Sequence, residues 1–439
     1  MKYSELYAIA DYLQGFGAIG AARRIGENRL VINFLAKNSR ANFNEKWIAD
    51  FANNIFAPIA TLSNAFDREF NAPFDLAVAK FFSGSLVRKI TIDDRDKIIK
   101  IFTEKSDRYK TYKYALILEF APNRLNALLT DENFIVIESL RRTVKLQEVY
   151  APPAPMRNDP KITEIADIKS TLLDRLSKIA DSELEKRKNI EVRSAENKQG
   201  KLLKTLNDLS DPKKLEIEAE KAALEGSLIL ANINLIKPYS SEIKLIDFDG
   251  KEVVVKLEKK AAAAIEAERK FALSKRLRSK AKGLEIEYKN LSERIEFYDR
   301  LISAVKNAKN INDLEIILPK KQKAATKKSA SEPIEEFIVG GFRLLMGRNE
   351  KGNEIILKRA KPRDLWFHLQ NKPGAHLIIQ SAKENISEEV IKKAAEICAR
   401  FSAGNGAFLV DYTKRQFVKI DFGAHVTYAR QKTIKVIIE

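Results

Sequence analysis

Aromatic and histidine side chains concentrate in one short segment that contains Trp366, His368 and His376. Each of these residue types must find polar partners when it is buried, or contact a ligand when it is exposed. Trp366 and His368 could therefore be a satisfied core pair. Alternatively, they could stack on an RNA base while Arg348 and Arg363 bind phosphates. The sequence leaves both interpretations open.

A search for catalytic signatures finds none in this sequence. It has no glycine-rich phosphate loop, no dinucleotide fingerprint and no His-Glu-x-x-His pair. The third histidine, His425, could join His368 and His376 around a metal, but their spacing matches no ligand pattern. Cys398 is the only cysteine, which excludes an intrachain disulfide and a cysteine-based zinc site. We expect no catalytic residue, no metal and no other cofactor.

The charge balance predicts a polyanionic partner. The chain has 439 residues, with 78 Lys and Arg against 60 Asp and Glu, so its net charge is +18 and its pI is near 9.5. Nucleic acid is the leading partner class, and an anionic membrane surface is the second. An apolar fraction of 45% is sufficient for buried cores in two or three domains.

The sequence predicts a cytoplasmic protein without a membrane segment. Its first residues, Met1 to Leu6, include an early acid and lack the basic and apolar regions of a signal peptide. No window approaches the roughly 18 apolar residues of a membrane span. A single cysteine suits a reducing compartment.

The first 150 residues mix helical and strand patterns. Apolar periodicity predicts helices over Tyr3–Tyr12, Trp47–Phe56 and Asn71–Phe82. Runs of β-branched residues predict strands over Arg29–Phe34, Leu86–Ile92, Lys97–Phe102, Tyr114–Phe120 and Phe134–Ile137. Prolines between Tyr150 and Pro155 favour extended chain, so we place a linker after an α+β domain of residues 1–150.

Long helical patterns dominate residues 161–312. Apolar residues three and four apart continue from Ile165 to Leu209, and a heptad pattern that includes Tyr288 runs from Leu284 to Val305. The intervening segment 226–257 contains Asp249-Gly250, a dipeptide suited to a tight hairpin turn. These patterns predict an antiparallel coiled-coil arm with a small β insert. A helical bundle packed against the domains is the alternative.

The rest of the chain divides into a linker and a compact domain. Residues 319–329 are rich in lysine and poor in apolar side chains, which predicts a flexible basic linker, and we place it at 313–332. Strands are predicted over Phe337–Val339, Phe342–Met346, Ile355–Leu357, His376–Gln380, Phe408–Tyr412, Phe417–Ile420 and Ile434–Ile438. Ser387 should cap a helix that ends near Phe401. The predicted fold is thus α+β and multidomain, with a second α+β domain at 333–439.

Several motifs carry a family resemblance. The segments Gly347–Glu354, Asp364–His368, Pro373–His376 and Val410–Thr413 resemble, in order and spacing, the motifs of the NFACT-R domain. Pro73–Lys80, leading into Leu86–Ile90, more weakly resembles the NFACT N-terminal domain. Glu225–Asn232 is similar to a segment of the family's coiled-coil region. The chain therefore resembles the NFACT family of ribosome-associated quality-control factors, many of which were once labelled fibronectin-binding proteins.

The resemblance implies a function without enzymatic chemistry. Such factors bind the large ribosomal subunit that still carries peptidyl-tRNA, and they recruit tRNA, alanyl-tRNA in bacteria, for template-free tailing of the stalled chain. The ribosome would supply the peptide-bond chemistry, and ribosomal RNA and tRNA would be partners. The motif residues that would bind ribosomal RNA or define the domain are Arg348, Asn349, Asn353, Asp364, Trp366, His368, Gly374 and His376.

The resemblance also implies tRNA contacts in the N-terminal domain. An Asp-Arg pair of the family aligns without a gap on Asp96-Lys97, and with a shift of two residues on Asp94-Arg95. A second family motif, an acid followed by Met-Gly-Arg and a later Asn, survives only at Glu119 and Asn126. The candidate tRNA-binding residues are Lys80, Asp94, Arg95, Asp96, Lys97, Glu119 and Asn126.

Departures from the family pattern leave competing hypotheses. The short stretch after Pro155 has no room for the helix-hairpin-helix module of many relatives, and Gly423-Ala424 lacks a following Lys-Pro. One alternative is therefore an RNA- or ribosome-binding member of the family without tailing activity. A surface adhesin is a third hypothesis, which the missing export signal opposes.

Overall fold

The computed structural model of the protein describes twelve stretches of the chain. They are residues 1–37, 44–59, 70–93, 96–107, 109–121, 123–153, 162–236, 240–248, 250–257, 262–320, 332–381 and 385–438. The chain divides into two compact units, Met1–Lys186 and Arg187–Glu439. The boundary falls inside the long helix that follows the first domain.

The helices of the described residues are bounded as follows. They are α1 (Tyr3–Leu13), α2 (Pro73–Ala77), α3 (Ile168–Asn207), α4 (Pro212–Ala231), α5 (Ala263–Lys306), α6 (Ile311–Ile317), α7 (Glu350–Arg359) and α8 (Glu388–Ala403). Within the described ranges, no helix combines the length and the apolar character that a membrane span requires.

The strands of the first unit are β1 (Phe16–Gly26), β2 (Arg29–Ala36), β3 (Asn44–Asp50), β4 (Ile55–Ile59), β5 (Leu86–Ile92), β6 (Ile98–Ser106), β7 (Thr111–Ala121), β8 (Arg124–Asp131) and β9 (Val136–Ser139). Those of the second unit are β10 (Glu242–Ile246), β11 (Glu252–Lys256), β12 (Ile334–Val339), β13 (Phe342–Gly347), β14 (Leu365–Leu369), β15 (Leu377–Gln380), β16 (Gly406–Lys414), β17 (Val418–Phe422), β18 (His425–Tyr428) and β19 (Lys432–Ile438).

A nine-stranded antiparallel sheet forms the framework of the first unit. Its order is β4-β3-β2-β1-β5-β6-β7-β8-β9. The core includes Trp47, Phe56 and Phe120, and the first turns of α3 add Ile168 and Leu172 to it. Burial of such large apolar side chains removes their surface from water and is the main force that stabilises the sheet.

Two predicted helices of the first unit are confirmed and one is wrong. Helix α1 matches the prediction, and α2 begins at Pro73 and continues as a π-helix over Val78–Phe82. Residues Trp47–Phe56 instead form β3, a turn and β4. The apolar side chains four apart suggested a helix, but the turn residue Asn54 has φ of 51°, which allows a hairpin.

The middle of the chain forms paired helices in the second unit. Gln199 Nε2 donates to Asp299 Oδ1 at 2.6 Å, and Lys270 Nζ lies 2.6 Å from Glu225 Oε2, so α3 and α4 run antiparallel to α5. The predicted antiparallel pairing is confirmed. Of the predicted seam residues, Leu291 and Val305 are buried, whereas Tyr288 is 51% exposed.

The β insert lies between α4 and α5. Strands β10 and β11 form the predicted hairpin, and Gly250 in its turn has φ of 82°, which glycine adopts without a steric penalty. Asp249, the other predicted turn residue, lies outside the described residues. Buried Leu245 and Val255 pack the hairpin against the helices.

The C-terminal part of the second unit is built on a six-stranded antiparallel sheet. Its order is β12-β13-β15-β14-β16-β19. Helix α7 and the β17–β18 hairpin contribute Ile356, Val418 and Tyr428 to a cluster around Trp366. Helix α8 begins at its predicted cap, where Ser387 Oγ accepts a hydrogen bond from the Val390 amide.

Two predictions for this region need correction. Ile355–Leu357 is not a strand but part of α7, because Asn349 Oδ1 accepts a hydrogen bond from the Gly352 amide and caps a helix there. The predicted linker also begins too early, since α6 continues to Ile317 and buries Leu314. Residues 321–331 of that linker lie outside the described residues.

Candidate functional site

A buried acidic cluster lies where β6 begins and β7 ends. Tyr150 Oη donates to Glu119 Oε1 at 2.8 Å, and Arg124 Nη2 lies 3.3 Å from the same oxygen. Asp96 precedes β6 and accepts a hydrogen bond from the Lys97 amide at Oδ1. Ile98 pairs with Glu119, so the strand register brings the two candidate acids to one place.

Both acids have an oxygen without a hydrogen-bond partner among the described residues. These atoms are Asp96 Oδ2 and Glu119 Oε2, and both are buried. A buried carboxylate oxygen that accepts no hydrogen bond carries a substantial desolvation cost. Such atoms can accept hydrogen bonds from the amino or imino groups of a nucleobase, or from an ammonium group.

The pKa values in this cluster are shifted by burial. Desolvation raises the pKa of Glu119, which the Tyr150 hydrogen bond and Arg124 partly oppose. Desolvation also raises the pKa of Asp96, and the nearby Asp93 raises it further. Burial beside Glu119 raises the pKa of Tyr150 in turn. The cluster therefore favours protonated acids more than an exposed site would.

The other candidate residues of this unit take different positions. Asn126 is buried and binds the backbone of Arg141 through both its amide atoms, so it positions the segment after β9. Lys97 is half-buried beside Asp96, and Lys80 is exposed on the π-helix, 4.8 Å from the Phe81 ring. Asp94 and Arg95 lie outside the described residues.

Sequence reasoning missed two members of the acidic cluster. Tyr150 was assigned to the boundary of a proline-rich linker, and Arg124 was considered only as part of a diverged motif. Arg124 pairs with Ala121 across the turn between β7 and β8, which places its side chain beside Glu119. Successive side chains of a strand point to opposite faces of the sheet, and this alternation was the available signal for the position of Arg124. Nothing in the sequence predicted the position of Tyr150.

The tryptophan of the opening segment belongs to the core of the second unit. Trp366 is fully buried, and its Nε1 donates to His376 Nδ1 at 2.8 Å. Its ring lies 4.7 Å from that of Tyr428 and 5.8 Å from that of His368. The satisfied core pair is therefore the correct alternative for Trp366, and its ring cannot stack on RNA in this conformation.

Other motif residues of this domain position its loops. The buried Asp364 carboxylate accepts hydrogen bonds from the amides of Lys361 and Ser381. Asn353 Oδ1 accepts from the His376 amide, while Asn353 Nδ2 donates to the Gly374 carbonyl. These side chains connect successive motifs, which is a structural reason for their residue types.

Close backbone approaches explain the glycines of these motifs. A Cβ atom on Gly374 would lie 2.9 Å from Ser402 Oγ, the atom that accepts a hydrogen bond from the Ala375 amide. A Cβ atom on Gly347 would lie 2.2 Å from Asn353 Oδ1. Neither position tolerates a side chain without a shift of its neighbours.

The remaining motif residues border a cleft of about 690 Å³ between α5 and the sheet. His368 and His425 lie on its wall, and Asn349 Nδ2 donates to Asn290 Oδ1 at 3.3 Å. Arg348 also borders it, but its guanidinium is largely buried, donates to the Glu332 carbonyl and lies 3.4 Å from Glu335. Arg348 thus binds protein groups rather than presenting a free phosphate contact.

Burial disfavours the charged form of two histidines beside the cleft, His376 and His368. Desolvation lowers the pKa of His376 to about 3, with smaller contributions from His368 and His425. Desolvation also lowers the pKa of His368. Within the described part of the chain, no group of three or more His, Cys, Asp or Glu side chains is arranged to hold a metal ion.

Comparisons with known families assign two regions of the chain. Residues 169–330 match the family model described as NFACT N-terminal and middle domains. Residues 337–417 match the model described as NFACT protein RNA binding domain. Together the two matches cover more than half of the chain, and the second includes Arg348, Asn349, His368 and His376 but not His425.

Curated relatives show the same likeness. The Rqc2 homolog RqcH of Bacillus subtilis is 28% identical over 260 residues, which cover 55% of this chain and 44% of that protein. The Rqc2 homolog RqcH of Streptococcus suis is 26% identical over 256 residues, 55% of this chain and 46% of that protein. The matched region thus spans less than half the length of these relatives.

A solved structure is also similar in part. The N-terminal domain of the fibronectin-binding protein PavA from Streptococcus pneumoniae has 17% sequence identity to this chain. The similarity covers 39% of this chain and 70% of that one, with a TM-score of 0.32.

Proposed function

Because this chain belongs to the NFACT family, we propose that it is a ribosome-associated quality-control factor that binds the large ribosomal subunit obstructed by peptidyl-tRNA. The two family matches, in consecutive regions of one chain, carry this proposal. The names of the relatives, Rqc2 homolog RqcH, support it. The factor would act in the cytoplasm and bind ribosomal RNA, for which a net charge of +18 is suited.

The second part of the proposal is tRNA recruitment. The factor would bring tRNA, alanyl-tRNA by analogy with the bacterial family, for template-free tailing of the stalled chain. The ribosome would form the peptide bonds, so the protein itself would not be an enzyme. The buried oxygens of Asp96 and Glu119 support this role on the condition that the cluster opens when tRNA binds, because a tRNA base could then supply the donors that they lack.

Co-sedimentation tests subunit binding. The purified full chain is mixed with large subunits that carry peptidyl-tRNA and, separately, with empty large subunits. We expect the chain to pellet with the obstructed subunits in preference to the empty ones. Equal or no association with both would refute the proposed function.

The acidic cluster gives a separate prediction for tRNA. Replacing Asp96 and Lys97 by alanine should lower tRNA recovery on obstructed subunits by roughly tenfold, which corresponds to the loss of one or two base contacts. Subunit association should change little, because it depends on many phosphate contacts. Sequencing and quantification of the co-purified tRNA measure the effect.

Two controls make this prediction specific. Asp96→Asn keeps the shape of the side chain and should lose tRNA without loss of folded protein, which circular dichroism can verify. Asp94→Ala with Arg95→Ala tests the shifted alignment. Loss of tRNA in this second variant alone would assign the contact to Asp94 and Arg95 instead.

A second candidate function is a family member that binds ribosomes without tailing. The presence of Lys97 where the family has arginine favours it, since lysine cannot form the bidentate contacts of a guanidinium. Mass spectrometry of nascent chains released from obstructed subunits distinguishes the two functions. C-terminal alanine tails would support recruitment for tailing, whereas untailed chains with bound factor would support the second candidate.

A further inference from the structure

A cluster of positive charge lies at one end of the C-terminal sheet, where β14 and β19 begin and β16 ends. It contains five exposed side chains, Lys361, Arg363, Lys414, Arg430 and Lys432. We call this surface the basic end patch. Arg363 is a candidate phosphate-binding residue of the sequence, and the other four have no role in the proposed function.

The strand register brings the patch together. Lys414 pairs with Leu365, the first residue of β14, and Lys432 pairs with Tyr412 in β16. Three separate segments of the chain therefore meet at one end of the sheet. Side chains on adjacent strands at such an end lie within several ångströms of one another.

Hydrogen bonds from buried groups hold these segments in place. The Asp364 carboxylate accepts from the Lys361 amide, and the Asp364 carbonyl accepts from the Arg415 amide at 2.8 Å. Thr413 Oγ1 donates a hydrogen bond to the Arg430 carbonyl at 3.2 Å. The backbone that presents the five cations is thus preorganised, which lowers the entropic cost of binding.

The positive charge of the patch is uncompensated. Three other exposed cations of this domain form ion pairs, namely Arg343 with Glu336, Lys358 with Glu354 and Arg359 with Glu332. None of the five patch cations has an ion-pair partner within the parts of the chain that the structure describes. Among the described residues, the acids Asp364 and Asp411 near the patch are buried and engaged, and Asp411 accepts from Tyr428 and Thr433.

The patch lacks an open stacking surface. Phe417 is half-buried, and the Arg430 guanidinium covers its ring at 4.7 Å. The exposed aromatic rings of the domain, Phe422 and His425, stack on each other at 4.4 Å near Glu350, at the opposite end of the sheet. Single-stranded RNA is usually bound through stacked bases, whereas duplex RNA is recognised through its backbone and shape.

We propose that the basic end patch binds the sugar-phosphate backbone of duplex RNA. The proposal rests on the RNA binding included in the proposed function and assigns it to one surface. Fixed cations without competing acids match the closely spaced phosphates of an RNA helix. The histidine cleft at the other end of the sheet is then not the main site of duplex binding.

The test compares matched pairs of exposed cations in the full chain. The patch variant is Arg363→Gln with Lys414→Gln, and the control variant, at the opposite end of the sheet, is Lys351→Gln with Lys372→Gln. Each loses two positive charges. Binding to an RNA hairpin and to an unstructured oligouridine is measured by fluorescence anisotropy at several salt concentrations.

The patch variant should bind the hairpin roughly tenfold more weakly than the wild type. The slope of log affinity against log salt should fall by about 0.9 for each lost phosphate contact. The control variant should bind within about twofold of the wild type. A variant with all five patch cations replaced by glutamine should lose hairpin binding further, with an unchanged melting curve because these side chains are exposed.

Three results would overturn this assignment. The first two are wild-type hairpin affinity in the patch variant and a greater loss of hairpin affinity in the control variant. The third is a patch-dependent preference for oligouridine, or for anionic phosphatidylserine vesicles measured in the same way, over the hairpin. Failure of the proposed function appears differently, as wild-type protein that does not pellet with obstructed subunits. Hairpin binding through the patch can then still be measured on its own.

Discussion

Replacing Trp366 by alanine should destabilise the C-terminal sheet by about 3–5 kcal/mol. Trp366 is fully buried among Ile356, Val418 and Tyr428, so truncation leaves a large cavity. The replacement also removes the indole Nε1–H group, which donates a hydrogen bond to His376 Nδ1. Amide hydrogen exchange in β14 and β16 measures the loss, because it isolates this sheet from the rest of a multidomain chain.

Trp366→Phe is the matched control. It keeps most of the ring volume and removes only the hydrogen bond, so it should cost about 1–2 kcal/mol. Exchange in β6 to β8 of the first unit should not change in either variant. If Trp366→Ala lowers the free energy of opening from amide exchange by less than about 1 kcal/mol, the side chain does not leave the expected cavity. If Trp366→Phe abolishes RNA binding while the domain stays folded, Trp366 contacts RNA directly.

His376 should make the same sheet less stable in acid. The folded domain holds the pKa of His376 at about 3, below its usual 6.5, because burial disfavours the charged ring. The unfolded chain therefore binds more protons below pH 6.5. The stability that comes from neutral His376 is fully present above pH 6.5. It falls by about 1.4 kcal/mol for each pH unit below that value, until about pH 3.

The replacement His376→Asn should remove this contribution. An asparagine side-chain oxygen can accept the Trp366 hydrogen bond and does not titrate in this range. The difference in exchange stability between wild type and variant should thus shrink or reverse from pH 7 to pH 5. A parallel pH dependence in wild type and His376→Asn would contradict this assignment.

The C-terminal domain could be predicted well from its motifs. The order of motifs indicated the family, and alternating apolar residues located most strands of the six-stranded sheet. The error at Ile355–Leu357 arose because a short run of β-branched residues has the same composition in a strand and on the buried side of a helix. The cap at Asn349 decided between them. It is a local hydrogen bond to the amide three residues later, so an Asn before Glu350 was an available sequence signal for a helix start.

The N-terminal domain was harder to predict. Strands β3 and β4, at one side of its sheet, carry apolar side chains at a spacing that also fits a helix. Only the pairing of β3 with β2 and of β4 with β3 buries them in the sheet. Asp96 and Glu119 were found as candidates through the resemblance. Their common environment depends on the register of β6 and β7, which local sequence does not specify.

The sequence by itself determined the charge, the antiparallel helices, the family and the candidate residues, because these follow from composition, periodicity and ordered motifs. Only the tertiary structure decided what each candidate does. It buried Trp366 and His376 in a hydrogen-bonded core, left oxygens of Asp96 and Glu119 without partners among the described residues, and gathered Arg363 with Lys414 at one sheet end. The physical reason is that burial, hydrogen-bond satisfaction and charge clustering depend on residues distant in sequence.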